Sequence, residues 1–257
     1  MRNDLPTADA IAGKPRLDVH NSDVPVVCRA CEARHRGICG ALTPQELTRL
    51  SRHTVKQTVA GDGAIVSSGE DFRHYSNILA GVVKLTRLMA DGRQQIVGLQ
   101  FAPDFVGRPF RSFSETTAEA ATDVKLCSFP KQVMDEMIAH SPDLERRLYQ
   151  QALDELDEAR EWIFALGRKT AAEKVASFLL MIAENVDPEA PSGDRPIRFE
   201  IPLKRADIAD FLGLTIETVS RQITRLRKAG VIVVENNRTV TVPDLERLRA
   251  RCEVDAA

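Results

Sequence analysis

The chain has 257 residues, 43% of them hydrophobic and 28% charged, which suffices for one or two packed domains. A formal net charge of −2 excludes a wholly basic, histone-like protein. No apolar run reaches the roughly 18 residues of a membrane span, and the start, Met1-Arg-Asn-Asp-Leu-Pro6, lacks the apolar core of a secretory leader. The expected compartment is therefore the cytoplasm, with no membrane partner, where thiols stay reduced and disulfides are rare.

Residues 1–27 carry Pro6, Pro15 and Pro25 without apolar periodicity and read as a mobile tail. Next comes Cys28-Arg-Ala-Cys31-Glu-Ala-Arg-His-Arg-Gly-Ile-Cys39, a cysteine-bearing loop, and then a short helix from about Pro44 to Arg52. Between Thr54 and Pro130 short apolar runs alternate with glycine-bearing turns, the pattern of a sandwich or jelly roll. Within it, Ile78–Leu88 and Gln95–Phe101 flank Asp91-Gly92, which predicts a two-residue hairpin. Val124–Phe129 predicts one more strand, and that strand carries Cys127. The cysteine loop and the roll together make a domain over 28–133.

From residue 134 the period becomes helical, and 134–167 is expected to be a connecting helix. Ser141-Pro142 supplies a cap followed by proline at the first helical position. The run from there to about Leu166 is roughly 37 Å long at about 1.5 Å per residue. Tyr149, Ala152, Leu156, Ala159, Ile163 and Leu166 recur at alternating spacings of three and four, an a/d seam suited to a parallel homodimer. Thr170-Ala-Ala-Glu173 is a capping box opening the last domain, 168–257, where Asp187–Pro196 is a loop and Ile197–Leu203 a strand.

In residues 205–230, Ala209, Gly213 and Val219 stand at positions five, nine and fifteen. A helix-turn-helix needs those types: a small residue where the second helix approaches, a glycine at the turn, a branched residue packing back. Thr215 caps the second helix, and Val231–Val242 around Asn236-Asn237 predicts a β-hairpin wing. Thr215–Gly230 holds four cations against one carboxylate inside a slightly acidic protein, which fits phosphate attraction. Arg221 can grip guanine with two bonds, Glu217 can accept from a cytosine amino group, and Ser220 can contact most base edges. Arg225, Arg227 and Lys228 are candidate phosphate contacts.

Glu217-Thr-Val-Ser220-Arg221 resembles the recognition helix of the cyclic-AMP receptor/FNR superfamily of bacterial transcription regulators, with Ser220 pointing to the FNR branch. The resemblance implies an α+β fold: a jelly-roll sensor domain like those that bind cyclic nucleotides, a long dimerisation helix and a C-terminal winged helix-turn-helix. It also implies a double-stranded DNA palindrome of the TTGAT…ATCAA type, read by Glu217, Ser220 and Arg221. By the same resemblance the turn at Asp91 and Gly92 matches a surface that touches RNA polymerase.

A lone C-x2-C pair is shared by zinc sites, redox pairs and iron–sulfur sites. Structural zinc usually shows two close pairs, whereas three clustered cysteines plus a remote one suit a [4Fe–4S] cube. The FNR branch carries this arrangement, here with seven residues rather than five before the third cysteine. The expected metal ligands are thus Cys28, Cys31, Cys39 and Cys127, with zinc or structural thiols as alternatives. Cys252 reads as a free thiol and His35 as a solvated side chain.

A cyclic nucleotide is not expected, because Val106-Gly107-Arg108 replaces the Gly-Glu pair and Glu119 would repel the phosphate. No catalytic constellation is present, so the sequence points to a regulator that senses oxygen and controls genes for low-oxygen metabolism. A regulator answering nitric oxide or redox state, and an iron–sulfur electron carrier, are the alternatives.

Overall fold

The computed structural model describes residues 24–29, 31–186 and 195–253. The expected tail lies outside them as far as position 23, as do residues 187–194 of the proline-rich loop. The chain divides into two compact units, the first ending at Leu156 and the second beginning at Asp157. Among the described residues no helix is long and apolar enough to cross a membrane.

The first unit opens with short helical turns, α1 (Val26–Arg29), α2 (Glu32–His35) and a 3-10 turn (Ile38–Ala41), followed by α3 (Pro44–Ser51). A capping box starts α3: the Glu46 carboxylate accepts from the Thr43 N–H at 2.8 Å, and Thr43 Oγ1 accepts from the Glu46 N–H. Leu47 and Leu50, one turn apart, then face inward.

Eight strands follow: β1 (Val55–Val59), β2 (Ala64–Val66), β3 (His74–Ala80), β4 (Val82–Leu88), β5 (Gln94–Phe101), β6 (Phe105–Val106), β7 (Thr117–Ala120) and β8 (Val124–Pro130). They form two antiparallel sheets ordered β1-β8-β3-β6 and β2-β7-β4-β5, the roll expected between Thr54 and Pro130. Strand alternation decides the layers. Val124 and Leu126 of β8 and Ile78 of β3 point into the roll, where they meet Val83, Ala118 and Ala120 of the other sheet. Tyr75, Phe105 and Phe129 point the other way. There they pack with Leu47, Leu50, Met134 and Leu144 from the helices, so the first sheet is covered on both faces.

Two turns depart from expectation. The run Ile78–Leu88 is broken at Gly81, whose φ of +90° and 2.3 Å approach of a built Cβ to the Asp123 carbonyl exclude any side chain. The hairpin at Asp91-Gly92 has three loop residues, not two. Met89 N–H bonds Arg93 O, Gly92 N–H bonds Met89 O, and Gly92 takes φ +87°. That is a type I turn closed by a left-handed glycine, the three-residue hairpin geometry.

Helix α4 (Lys131–His140) leads to α5 (Pro142–Arg168), with the break at Ser141 beside the proline foreseen as the first helical residue. Tyr149, Ala152, Leu156, Ala159 and Ile163 of α5 are all exposed in the single chain, Ile163 by 71%. In the second unit, α6 (Ala171–Val186) starts at the expected box, the Thr170 N–H donating to Glu173 Oε2 at 2.6 Å. It buries Val175, Phe178, Leu179 and Ile182. Strands β9 (Ile197–Glu200), β10 (Val233–Glu235) and β11 (Thr239–Val242) form one antiparallel sheet. Helices α7 (Arg205–Leu212), α8 (Ile216–Lys228) and α9 (Leu245–Arg249) complete the unit. Trp162 meets Phe211 edge-on at 4.5 Å, and Phe178 lies 6.1 Å from the same ring.

Candidate nucleic-acid interface

Helices α7 and α8 make the helix-turn-helix that the spacing of Ala209, Gly213 and Val219 predicts. Gly213 ends α7 in the left-handed region at φ 60°, and the Leu214 N–H returns to the Ala209 carbonyl at 3.0 Å. Ala209 and Val219 are both buried, Val219 completely. Thr215 Oγ1 then accepts from the Thr218 N–H and starts α8. At the other end the guanidinium of Arg247 donates to the carbonyls of Ala229 and Gly230, covering acceptors that the helix leaves open. Both ends of α8 are thus fastened, which fixes the side of the helix from which each side chain leaves.

The buried side of α8 carries Val219, Gln222, Ile223 and Leu226. Glu217, Arg221 and Arg225 follow one another at four-residue steps on the exposed side. Bonds from its own backbone N–H and from the Thr215 hydroxyl hold the Glu217 carboxyl below the usual carboxylate range. It is therefore an anionic acceptor at neutral pH. Arg221 reaches the Thr218 hydroxyl at 3.4 Å, a contact weak enough to be exchanged for a ligand. Ser220 is half-buried and turned toward the wing.

The wing is the β10–β11 hairpin. Asn236 and Asn237 take positive φ of 50° and 58° at its tip, where asparagine tolerates the left-handed region. Between the wing, the start of α7 and α8 lies a cavity of about 460 Å³. Its wall includes Ser220 and Thr224 together with the cations Lys204, Arg205, Arg227 and Arg238. The sequence singled out Arg227 but missed Lys204, Arg205 and Arg238. Their signal was a pair of cations at the cap of α7 and a third beside the Asn-Asn turn, and only the fold brings the two places together.

The cysteines overturn the cofactor expectation. Among the described residues there is no group of three or more Cys, His, Asp or Glu that could hold a metal ion. Cys28 ends up in α1, Cys31 in the turn before α2, Cys39 in the 3-10 turn and Cys127 in β8. Cys39 is buried in the apolar core, where its Sγ accepts from Asn77 Nδ2 at 3.2 Å. Burial, with weaker repulsion from Cys31 and Cys28, pushes the Cys127 thiol up to about 11. Burial and then the Cys31 charge also raise Cys28, and burial raises Cys39 more strongly.

What counts against a cluster is that the described residues gather no set of ligands. The residues present do not fit a [4Fe–4S] cube. Oxygen sensing by that route, and the electron-carrier alternative, lose their site. Cys252 is a buried free thiol whose Sγ lies 3.5 Å from the Leu248 carbonyl, and His35 is exposed.

Glu119 also departs from expectation. Ala118 and Ala120 point into the roll, so Glu119 between them points away and pairs with Lys84 at 3.3 Å. It does not face the interior of the roll. Arg108, after Gly107, is exposed.

Comparison with known proteins agrees with both units. Residues 55–141 match the cyclic nucleotide-binding domain family, and residues 173–251 match the Crp-like helix-turn-helix domain family. A "Probable transcriptional activator" of Rhizobium leguminosarum bv. viciae is 53% identical over 91% of this chain and 96% of its own length. The transcriptional activator protein FnrL of Cereibacter sphaeroides is 40% identical over 88% of this chain and 93% of its own. The solved structure of FixK2 from Bradyrhizobium japonicum superposes with a TM-score of 0.70 at 27% identity, covering 79% of this chain and 99% of that one. These matches span the roll, the long helices and the winged helix-turn-helix, and the chain belongs to the cyclic-AMP receptor/FNR superfamily of non-catalytic, DNA-binding transcription regulators.

Proposed function

We propose that the chain is a homodimeric transcription activator that reads a TTGAT…ATCAA-type palindrome, each copy laying α8 in a major groove. The observation that carries this reading is the exposed row of α8, fixed at both ends and carrying an anionic acceptor and a bidentate donor. Arg221 takes guanine O6 and N7, Glu217 accepts from a cytosine amino group, Ser220 touches a neighbouring base edge, and Arg225 meets a phosphate. The apolar row of α5 supports the homodimer: Tyr149, Leu156 and Ile163 are exposed by 43% or more in one chain. A two-fold pair covers such a row with itself, and two-fold symmetry in the protein asks for a palindrome in the DNA. In this division of labour the sensor domain of 28–133 extends through α4, because the break at Ser141 divides the expected helix 134–167; α5 is the dimerisation helix and 168–257 the DNA-binding domain.

The activating surface in this proposal is the hairpin tip. There Asp91 and Arg93 pair at 2.8 Å beside Gly92, and Leu88 and Met89 stand exposed for RNA polymerase. FnrL is named a transcriptional activator and the Rhizobium relative a probable one, which supports that direction of control. The roll takes no cyclic nucleotide, because the residue after Gly107 is a cation rather than the carboxylate that would hold ribose hydroxyls.

Binding to a duplex carrying the palindrome, beside a scrambled duplex of equal length, tests the reading. The purified protein should prefer the palindrome by at least about a thousandfold. Arg221→Ala should lose about 1–3 kcal/mol of discrimination at the guanine it reads, and little elsewhere. Equal affinity of the unaltered protein for both duplexes refutes the reading.

A further inference from the structure

We propose that a cavity at one end of the roll binds a small amphipathic monocarboxylate. Its head would meet the Ser76–Ser128 pair and His74, and its apolar body would lie against Val66, Phe72 and Val106. The inference stands apart from the DNA reading above and holds or fails on the first unit alone.

The cavity measures about 670 Å³, within the range of about 300–1,000 Å³ usual for small-molecule sites. Strands β1, β2, β3, β6 and β8 wall it, with the loop between β2 and β3. None of Gly107, Arg108, Glu119 or α5 lines it, so it is separate from the region that corresponds to a cyclic-nucleotide pocket.

Strand register assembles its polar floor. Ser76 of β3 stands opposite Ser128 of β8 and Val106 of β6, and opposed residues share a face of the sheet. His74 comes two residues before Ser76, on the same face and roughly 7 Å along the strand.

The hydroxyls of that floor call for an acceptor. Ser76 Oγ and Ser128 Oγ are 2.7 Å apart, and each residue is only 5% exposed. Gln57 Nε2 donates to Ser128 Oγ at 3.0 Å. The pair owns two hydroxyl hydrogens, and only one fits between its oxygens. Among the described residues no acceptor meets the other. A buried donor without an acceptor is unfavourable, and a ligand oxygen in the cavity relieves it.

Charge selects the kind of oxygen. Arg73, His53 and His74 are on the wall, beside the carboxylates of Glu70 and Asp71. Glu70 Oε2 accepts from the Ser67 N–H at 3.2 Å. The two wall carboxylates disfavour a phosphate or a dianion. A single carboxylate can spread its two oxygens over the spare hydroxyl and the His74 ring, with the Arg73 charge on the same wall. Buried Phe72 and Val106 and half-buried Val66 then ask for an apolar body.

Isothermal titration of the full-length protein with octanoate tests the site, with 1-octanol and octylammonium as chains of equal length that lack the carboxylate. Octanoate should bind saturably, one per chain, and about tenfold or more tighter than either. Ser76→Ala/Ser128→Ala removes both members of the pair and leaves no half-made bond between them. It should melt close to the unaltered protein and bind octanoate about tenfold weaker. The exposed His74→Ala should lose a similar factor for octanoate and none for 1-octanol, and it decides alone if the double variant does not fold. Lys125→Ala, exposed between the inward Val124 and Leu126, should bind as the unaltered protein does. Three results overturn the site: no saturable octanoate binding, equal binding of 1-octanol or octylammonium, or full octanoate affinity in His74→Ala. The last would place octanoate on another apolar surface, such as the exposed row of α5.

Discussion

The two units treat their chemically capable side chains in opposite ways. In the C-terminal unit, Glu217, Arg221 and Arg225 are exposed on a helix whose ends are fastened by Thr215 and Arg247. In the N-terminal unit, Cys39 is buried against Asn77, and Cys28 and Cys127 are half-buried with raised thiol pKa values. A charged group on a rigid, wet surface is ready to meet a ligand. A neutral thiol in an apolar layer chiefly fills space. The contrast shows why motifs of similar strength in the sequence lead to an exposed candidate site in one unit and to buried or half-buried thiols in the other.

Three substitutions probe this contrast. The largest effect should come from Val219→Asp, which places a carboxylate in the fully buried contact between α7 and α8. It should cost more than about 4 kcal/mol and remove DNA binding, with the loss of the near-ultraviolet signal of Trp162 against Phe211 as the structural readout. If binding survived with an unaltered signal, the exposed row would not depend on this packing, and the contrast between the units would lose its basis.

Next is Ala159→Asp on α5, which sets two like charges facing each other across the proposed dimer axis. Sedimentation should show monomers, and affinity for the palindrome should fall by about a hundredfold or more as one of two linked contacts is lost. Binding to a single half-site should change little. A stable Ala159→Asp dimer would place the interface elsewhere.

The smallest effect, and the one that sharpens the comparison most, belongs to Cys39→Ala. Removing the buried sulfur and the acceptor of Asn77 Nδ2 should cost about 1–3 kcal/mol in denaturant unfolding. The ratio of affinities for palindromic and scrambled duplexes should stay as in the unaltered protein. A variant of normal stability that no longer recognised the palindrome would show that Cys39 does more than pack.

Much of the fold was legible because its determinants are local. Ala209, Gly213 and Val219 lie within eleven residues, and each meets its partner through one turn of chain. Thr43 with Glu46, Thr170 with Glu173 and Thr215 with Thr218 act over three residues. Period two in β8 and a three–four period in α5 follow from backbone geometry alone. Less legible were turns decided by neighbours. Gly81 breaks a strand because the Asp123 carbonyl crowds it from another part of the chain. The Asp91-Gly92 loop gains a residue because the pairing of Leu88 with Gln94 sets where the strands close.

From the sequence alone come the two kinds of unit, the roll and the winged helix-turn-helix, and the helix face proposed to read bases. Each depends on side-chain period, a cap or a turn residue, which act between near neighbours. Tertiary structure alone decided which distant groups converge. It kept Cys28, Cys31, Cys39 and Cys127 from forming a metal site, turned Glu119 away from the roll's interior, and gathered Lys204, Arg205, Arg227 and Arg238 around one cavity. Spacing along a chain constrains distance only over a few residues, and beyond that the packing of layers determines which side chains share a volume and which face they take.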